Sequence, residues 1–421
     1  MHAFWITIQE SEVIEGGIMS VVSTDLRNVA IIGHNETGKT TLVEQMLFYA
    51  NVISRAETVA SGKTTSDYTE EEINHKISIH ASLASLNWDG KTINILDTPG
   101  TAGFIGETIC GFRSCESALM VVDGRDGAQI ETIKLWRHLD ERNKPRAVFI
   151  NKMDRDRADY THVLENLRET FKTTFVPVTI PMGSGKEFKG IINLIENKAY
   201  FINRGGKETV GDIPAEFADF AEEYRNALIE NAAEGADDLI EKYFEAGTLE
   251  SDDIRRGLRE GMDGNRVVPV FCGCSEGGSG ILSLLTFIRN NFPRPLGKLD
   301  WTVDEDGTVN DFPITAEGSA AALVFKTTID QFSGKLSFIK VLRGTVKGET
   351  ELYNPDLGKK ERPNKVYRMV GKKLIETDEL PAGDIGMIAK SNIAATNSTL
   401  IEKADQKLKF KPLAFPHPIY S

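Results

Sequence analysis

Residues Gly33-His34-Asn35-Glu36-Thr37-Gly38-Lys39-Thr40, with Thr41 behind them, set glycines, an amine and hydroxyls at the G-x-x-x-x-G-K-[ST] spacing that wraps phosphate groups. The glycines let backbone N–H groups turn inward around phosphate oxygens, and Lys39 supplies a point charge to the β- and γ-phosphates. Thr40 is the expected Mg²⁺ ligand. Asp97-Thr98-Pro99-Gly100 offers a second half of that chemistry: a strand-end carboxylate suited to holding Mg²⁺ through water, and a Gly100 amide able to approach the γ-phosphate. Asn151-Lys152-Met153-Asp154 has what a guanine site needs. Asp154 can accept hydrogen bonds from two base nitrogens, which the adenine edge would not satisfy. Asn151 would tie this loop to residues 33–40, and the Lys152 stem would cover one face of the base. Cys272-Gly273-Cys274-Ser275 would complete the pocket with backbone N–H groups aimed at the guanine carbonyl. Each of these short runs is also an ordinary turn when met alone; their order along one chain makes them specific. Met182-Gly183-Ser184-Gly185-Lys186 lacks the spacer and any following helix signal, and reads as a loop.

Such groups need an edge of a sheet to hold them. Short apolar runs over 28–32, 93–96, 118–122 and 146–150 alternate with helical stretches, as in a parallel sheet with crossover helices, and 267–272 reads as a further strand of it. The long stretch between the last two strands is expected to be an inserted α+β subdomain at about 160–262. It has strand-like runs over 175–180, 190–195 and 199–202, followed by acidic helices from 214 to 261. After Pro293, Pro295 and Gly297 the pattern changes to β-rich runs over 321–328, 336–342 and 385–388, separated by glycines, which reads as a β-barrel. The expected division is an extension outside the fold at 1–24, an α/β nucleotide-binding domain with helices on both sheet faces at 25–297, a linker at 298–315, a barrel at 316–405, and the start of a truncated third domain at 406–421.

Composition narrows the setting. At 421 residues, 40% of them hydrophobic and 26% charged, the chain is long enough for two domains with real cores, and no apolar run is long enough to cross a bilayer. The four cysteines, Cys110, Cys115, Cys272 and Cys274, show neither a disulfide framework nor zinc-ligand spacing, and point to reduced thiols and the cytoplasm. A net charge of -13 is opposite to that of a protein that coats nucleic acid, so any RNA contact is local. Residues 1–18 lack the pattern of a signal peptide, and Glu15-Gly16-Gly17 before Met19 fits a ribosome-binding site read as protein, which makes Met19 the expected start.

The order of these motifs resembles the translational GTPases, and specifically elongation factor G. The resemblance extends to Ser66-Asp67-Tyr68-Thr69-Glu70-Glu71-Glu72 before Ile77-Ser78-Ile79, to residues 151–160, 177–194 and to Pro381-Ala382-Gly383-Asp384-Ile385-Gly386, and is closest to a divergent elongation factor G-like branch. It implies a monomeric GTP/GDP and Mg²⁺ switch that acts on the ribosome, contacting rRNA and ribosomal proteins, with further domains beyond Phe415-Pro416-His417-Pro418. It implies that Ser78 stands where the family's switch threonine ligates Mg²⁺, and that Lys39, Gly100 and the residue after Gly100 serve hydrolysis. Three departures accompany it. Thr101 occupies the place of the family's water-orienting histidine, His75-Lys76 replaces Arg-Gly and stiffens the switch loop, and Asn35 and Glu36 replace an apolar residue and an aspartate. His34 and His75 are not expected to substitute for the missing imidazole. Slow or altered GTP hydrolysis is one expectation; GTP binding with little hydrolysis is the alternative.

Overall fold

In the computed structural model, residues 21–203, 206–330, 334–403 and 407–415 are described; the expectations for residues 1–20 and for Pro416, His417 and Pro418 lie outside them. The chain runs β1 (Leu26–Ile32), α1 (Lys39–Tyr49), α2 (Glu70–His75), β2 (Ser82–Trp88), β3 (Lys91–Asp97), α3 (Ile105–Ser114), β4 (Ser117–Asp123), α4 (Ile130–Glu141), β5 (Arg146–Asn151), α5 (Tyr160–Phe171) and β6 (Thr174–Pro177). The insertion follows with β7 (Thr179–Met182), β8 (Gly190–Asn193), β9 (Lys198–Phe201), β10 (Thr209–Gly211), α6 (Ala218–Ala233), α7 (Asp237–Ala246) and α8 (Ser251–Asp263), before β11 (Val267–Cys272) and α9 (Ile281–Asn291) return to the first layer.

The main sheet has the order β2-β3-β1-β4-β5-β11-β6, parallel throughout except for β2. Every residue of β1, β4, β5 and β11 is buried. Strands covered by helices on both faces carry continuous apolar runs rather than alternation, which is why these were legible in the sequence. The expected strand over 175–180 is in fact two strands in different sheets. At Val178 the N–H donates to Val270 O of the main sheet (2.8 Å), while its carbonyl accepts from Leu194 N of the insertion (3.0 Å), so this residue passes the chain from one sheet to the other. Residues 160–177, expected inside the insertion, therefore supply α5 and β6 of the main layers.

The expected linker at 298–315 folds as a hairpin of β12 (Leu299–Val303) and β13 (Val309–Pro313). Its polar sequence hides a structural role: buried Asp300 takes both Nη groups of Arg113 on α3. Beyond it lie β14 (Ala321–Asp330), β15 (Gly334–Arg343) and shorter strands that enclose a core of Ala322, Val324, Ile339, Val341, Leu380 and Ile388. On β14 the alternate residues Ala321, Leu323 and Phe325 join the main core instead, so this strand is buried on both faces, one against the barrel and one against the first domain.

A polar network crosses that junction. Lys340 pairs with Glu116 at 2.7 Å, both buried, and donates to Gly383 O at 2.9 Å. Asn28 of β1 donates to Glu116 (2.6 Å) and Gly383 O (2.8 Å), while Asn94 of β3 donates to Asn28 and to Asp384 at 2.9 Å each. Removing one member of a buried pair strands the other charge out of water. Glu116→Ala is expected to cost about 3 kcal/mol of stability, read by urea unfolding; an unchanged midpoint would deny the pair a structural role.

Candidate functional site

The strand ends place the predicted residues in a row. β3, β1, β5 and β11 all finish at one edge, giving Asp97, Gly33, Asn151 and Cys272 in turn, and ligands of open α/β sheets bind outside this carboxyl edge. Between β1 and α1 the backbone turns tightly, with φ of 148° at Gly33, 61° at Glu36 and 92° at Gly38. Among the described residues, the N–H groups of His34, Asn35, Glu36, Thr37 and Gly38 donate no hydrogen bond. Together with the start of α1 they form a concave array of partial positive charge, which is what an anion requires. Gly100 is pressed against this loop: a Cβ there would lie 2.4 Å from Lys39 Nζ and 2.7 Å from Asn35 N, so the residue has to be glycine.

Lys39 is buried, its amine donating to Gly33 O (3.1 Å) and His34 O (2.9 Å). Burial lowers the amine to about 8 despite the attraction of Asp97. The Asp97 carboxyl is raised to about 7, by burial first and by Asp67 second. Neither oxygen of Asp97 or of Asp67 has a hydrogen-bond partner within the protein, and the Ser66, Thr64 and Ser82 hydroxyls are buried and unpartnered too. Thr40 Oγ1 stands 3.1 Å from Ser78 Oγ. Asp97 and Asp67, with the Thr40, Ser66 and Ser78 hydroxyls beside them, gather hard oxygen donors of the kind a hydrated Mg²⁺ takes. Lys39, Thr40, Ser78 and Asp97 thus come together as expected, and Asp67 joins them without having been singled out.

The two residues after Ser78 are held by a carboxylate that the motif reading passed over. Glu72 Oε1 accepts from Ile79 N (3.1 Å) and His80 N (3.0 Å), while its other oxygen closes a capping box with Thr69. The Thr69-x-x-Glu72 spacing was the available signal. Lys76 ends α2 at φ 55°, a left-handed conformation that the family's glycine adopts freely and lysine adopts at a cost of about 1 kcal/mol. Thr101 is half-buried, and its hydroxyl makes no hydrogen bond among the described residues. His75 is exposed, whereas His34 keeps a buried, unpartnered Nδ1.

At the other end Asn151 joins three segments. Its Nδ2 donates to Thr37 O (2.8 Å) and Ser275 Oγ (2.9 Å), and its Oδ1 accepts from Lys152 N (2.8 Å) and Ser275 N (2.9 Å). Lys152 reaches Asp123 at the end of β4 (2.9 Å), which fixes the direction of its stem; that strand-end carboxylate was also missed, although its position paralleled Asp97. Asp154 keeps a buried Oδ1 without a partner, beside Cys274. One expectation is corrected: the Cys274 and Ser275 N–H groups donate to Ser279 O and Asn151 Oδ1. Both therefore hold the loop's shape instead of pointing at a base carbonyl.

A family model described as the elongation factor Tu GTP binding domain matches residues 24–294. The chain belongs to that family. A second model, elongation factor G domain 2, matches residues 319–403, and the pair makes this an elongation factor G-family chain with a P-loop GTPase domain followed by the barrel. A solved structure from Thermus thermophilus aligns with a TM-score of 0.80 at 28% identity over 91% of this chain. The alignment spans 55% of the Thermus protein, so the chain covers about half of that relative's length. No helix among the described residues is long and apolar enough to cross a membrane.

The unpaired carboxylates of this elongation factor G-family chain yield a direct test. Asp97→Asn removes a buried charge that the protein alone does not neutralise, and is expected to raise the unfolding temperature of the metal- and nucleotide-free protein by roughly 2–5 °C. Added Mg²⁺ should stabilise the native protein and leave the variant unmoved in the same thermal scan; equal responses would place the ion elsewhere.

Proposed function

We propose that this chain binds GTP and GDP with Mg²⁺ and hydrolyses GTP as a nucleotide switch of the ribosome. The observation that carries the reading is the convergence at one sheet edge of an unpaired N–H cradle, a buried amine, two unpaired carboxylates and the free Asp154 oxygen. Family membership supports the guanine nucleotide. In this reading residues 33–41 wrap the phosphates. Asp154 accepts from the base while Asn151, Lys152, Cys274 and Ser275 shape its pocket, and Thr40, Ser78 and Asp97 face the metal with Asp67 behind them.

Hydrolysis at such a site rests on charge placement rather than on covalent catalysis. Lys39 and the cradle N–H groups hold the oxygens on which negative charge grows, and Gly100 can offer its amide to the same group. A bound Mg²⁺ would add neutralising charge. What the chain does not place there is an imidazole: Thr101 can accept or donate a hydrogen bond to the attacking water but cannot carry positive charge. Slow turnover follows, with the division 25–297 as the catalytic unit and 316–405 as the barrel packed beside it. A second reading, a binding switch with negligible hydrolysis, is favoured by the idle Thr101 hydroxyl. Translocation, the ribosome as partner and a cytoplasmic setting belong to the same proposal and rest on the elongation factor G match.

Two measurements test it. Asp154→Asn is expected to weaken GDP binding by roughly 100-fold or more and to improve xanthine nucleotide binding, because the amide donates where the carboxylate accepted; ATP bound as tightly as GTP by the native protein would refute the base assignment. Multiple-turnover GTP hydrolysis with and without ribosomes, compared between native protein and Thr101→His, decides between switch and binding protein. The histidine should raise ribosome-stimulated turnover on the order of 10-fold or more, whereas no turnover in either form favours the binding reading.

A further inference from the structure

The insertion touches the base-reading loop directly, where Gly185 N donates to Met153 O (2.8 Å), and reaches the start of α9 through a short arm. Immediately before β10, Lys207 and Glu208 leave the insertion and enter the groove between α1 and α9. Lys207 Nζ donates to Tyr49 O (2.9 Å) and to Asn51 Oδ1 (2.7 Å), anchoring the arm on the C-terminal end of α1. Glu208 is buried, with 8% of its surface exposed. Its backbone N–H donates to the Tyr49 hydroxyl (2.8 Å), and that hydroxyl donates in turn to Gly278 O (2.6 Å). Its carboxylate accepts from Gly280 N (2.7 Å), Leu282 N (3.1 Å) and the Ser279 hydroxyl (3.4 Å).

These acceptances answer a local need. Helix α9 begins after Gly280, which has no side chain to cap the free N–H groups of the first turn. Glu208 does this from a distant part of the chain; burial raises its carboxyl to about 7, while the Gly280 and Leu282 N–H groups and the helix dipole favour its charged form. The capped segment is the far end of the 273–280 loop, whose near end carries Cys274 and Ser275. Cys274 and Ser279 exchange backbone hydrogen bonds (3.1 and 2.9 Å), and Gly278 N returns to Ser275 O (3.2 Å). Ser275 then holds Asn151, and Asn151 holds Thr37 of the phosphate loop. The connections are continuous from the insertion to the base pocket, and Tyr49 sits on the helix that starts at Lys39.

We propose that Glu208 is a positioning residue for the base-binding loop, so that the insertion fixes the geometry with which this site retains a guanine nucleotide. The proposal rests on the nucleotide reading above and adds a role for a residue outside every nucleotide motif. Without the carboxylate, three donors around the start of α9 lose their acceptor, the 273–280 loop loosens, and Asn151 no longer presents its neighbours in one orientation. Glutamine keeps one acceptor oxygen and loses the charge, so its effect falls between native and alanine. Tyr49→Phe removes only the hydroxyl that joins Glu208 N to Gly278 O.

The experiment is dissociation of fluorescently labelled GDP from the full chain, chased with unlabelled GDP. Dissociation should quicken on the order of 10-fold in Glu208→Ala, with smaller increases in Glu208→Gln and in Tyr49→Phe. Leu239→Ala in the buried face of α7 loosens the same insertion without touching the arm, and should leave the rate unchanged at a comparable loss of unfolding temperature. If Glu208→Ala does not fold, Glu208→Gln and Tyr49→Phe carry the test. Native rates in both of these variants, or an equal increase in Leu239→Ala, would overturn the positioning role. Native protein that never retains labelled GDP would instead sink the nucleotide reading itself.

Discussion

Buried charge without an internal partner governs this site. Asp97 and Asp67 are both buried, and burial raises their carboxyls to about 7 and about 6, although Lys39 and the neighbouring Ser78, Thr40 and Ser66 hydroxyls favour the charged forms. Beside them, the Ser66, Thr64 and Ser82 hydroxyls and the N–H groups of residues 34–38 are also without partners among the described residues, and buried polar groups of this kind are costly unless something satisfies them. The glycine at 100 follows from the same crowding. A methyl group there would strike the Lys39 amine and separate the end of β3 from the 33–38 loop.

Besides the packing of Val52, Ile53 and Tyr68 on the core, the segment between α1 and β2 is held to this centre by carboxylates. Glu44 of α1 accepts from Glu57 N (3.2 Å) and from Thr65 N, and Glu72 accepts from the backbone on either side of α2. Its end is then tied to the barrel. Glu107 of α3 accepts from Ala81 N (2.7 Å) and pairs with Lys326, which also donates to Ala81 O (2.9 Å). Burial would raise the Glu107 carboxyl, but His80, Lys326 and the Ala81 N–H hold it at about 2. At another contact of the barrel, Gly371 N donates to Leu83 O (3.1 Å), and a Cβ at Gly371 would lie 2.0 Å from Thr65 O. The two domains therefore also meet beside the 65–81 segment, in addition to the packed face of β14 and the network around Glu116.

Most of the sheet was legible because strands buried on both faces leave an unbroken apolar run, and the motifs follow those runs at fixed offsets. What escaped were elements whose partners decide their state. β2 reads Ser82-Leu83-Ala84-Ser85-Leu86-Asn87-Trp88, too mixed to stand out, and becomes a strand by pairing antiparallel with β3 along its length. The 299–313 hairpin looked like a linker because Asp300 is polar, and only Arg113, far away in sequence, explains its burial. The strand expected over 175–180 broke in two because Val178 pairs with both sheets.

The sequence by itself determined the nucleotide-type motifs, their order, the central strands and the β-rich character of the second half, because each rests on residue spacing within a few positions. Tertiary structure alone decided which carboxylates would be left without partners. Asp67 is one of these and carries no local mark that separates it from other acidic residues; Glu208, which has partners, likewise owes its role to the start of α9 brought against it. It also decided that the Cys274 and Ser275 N–H groups are turned inward. A hydrogen-bond donor's direction depends on the acceptor that packing supplies, and spacing along the chain does not contain that information.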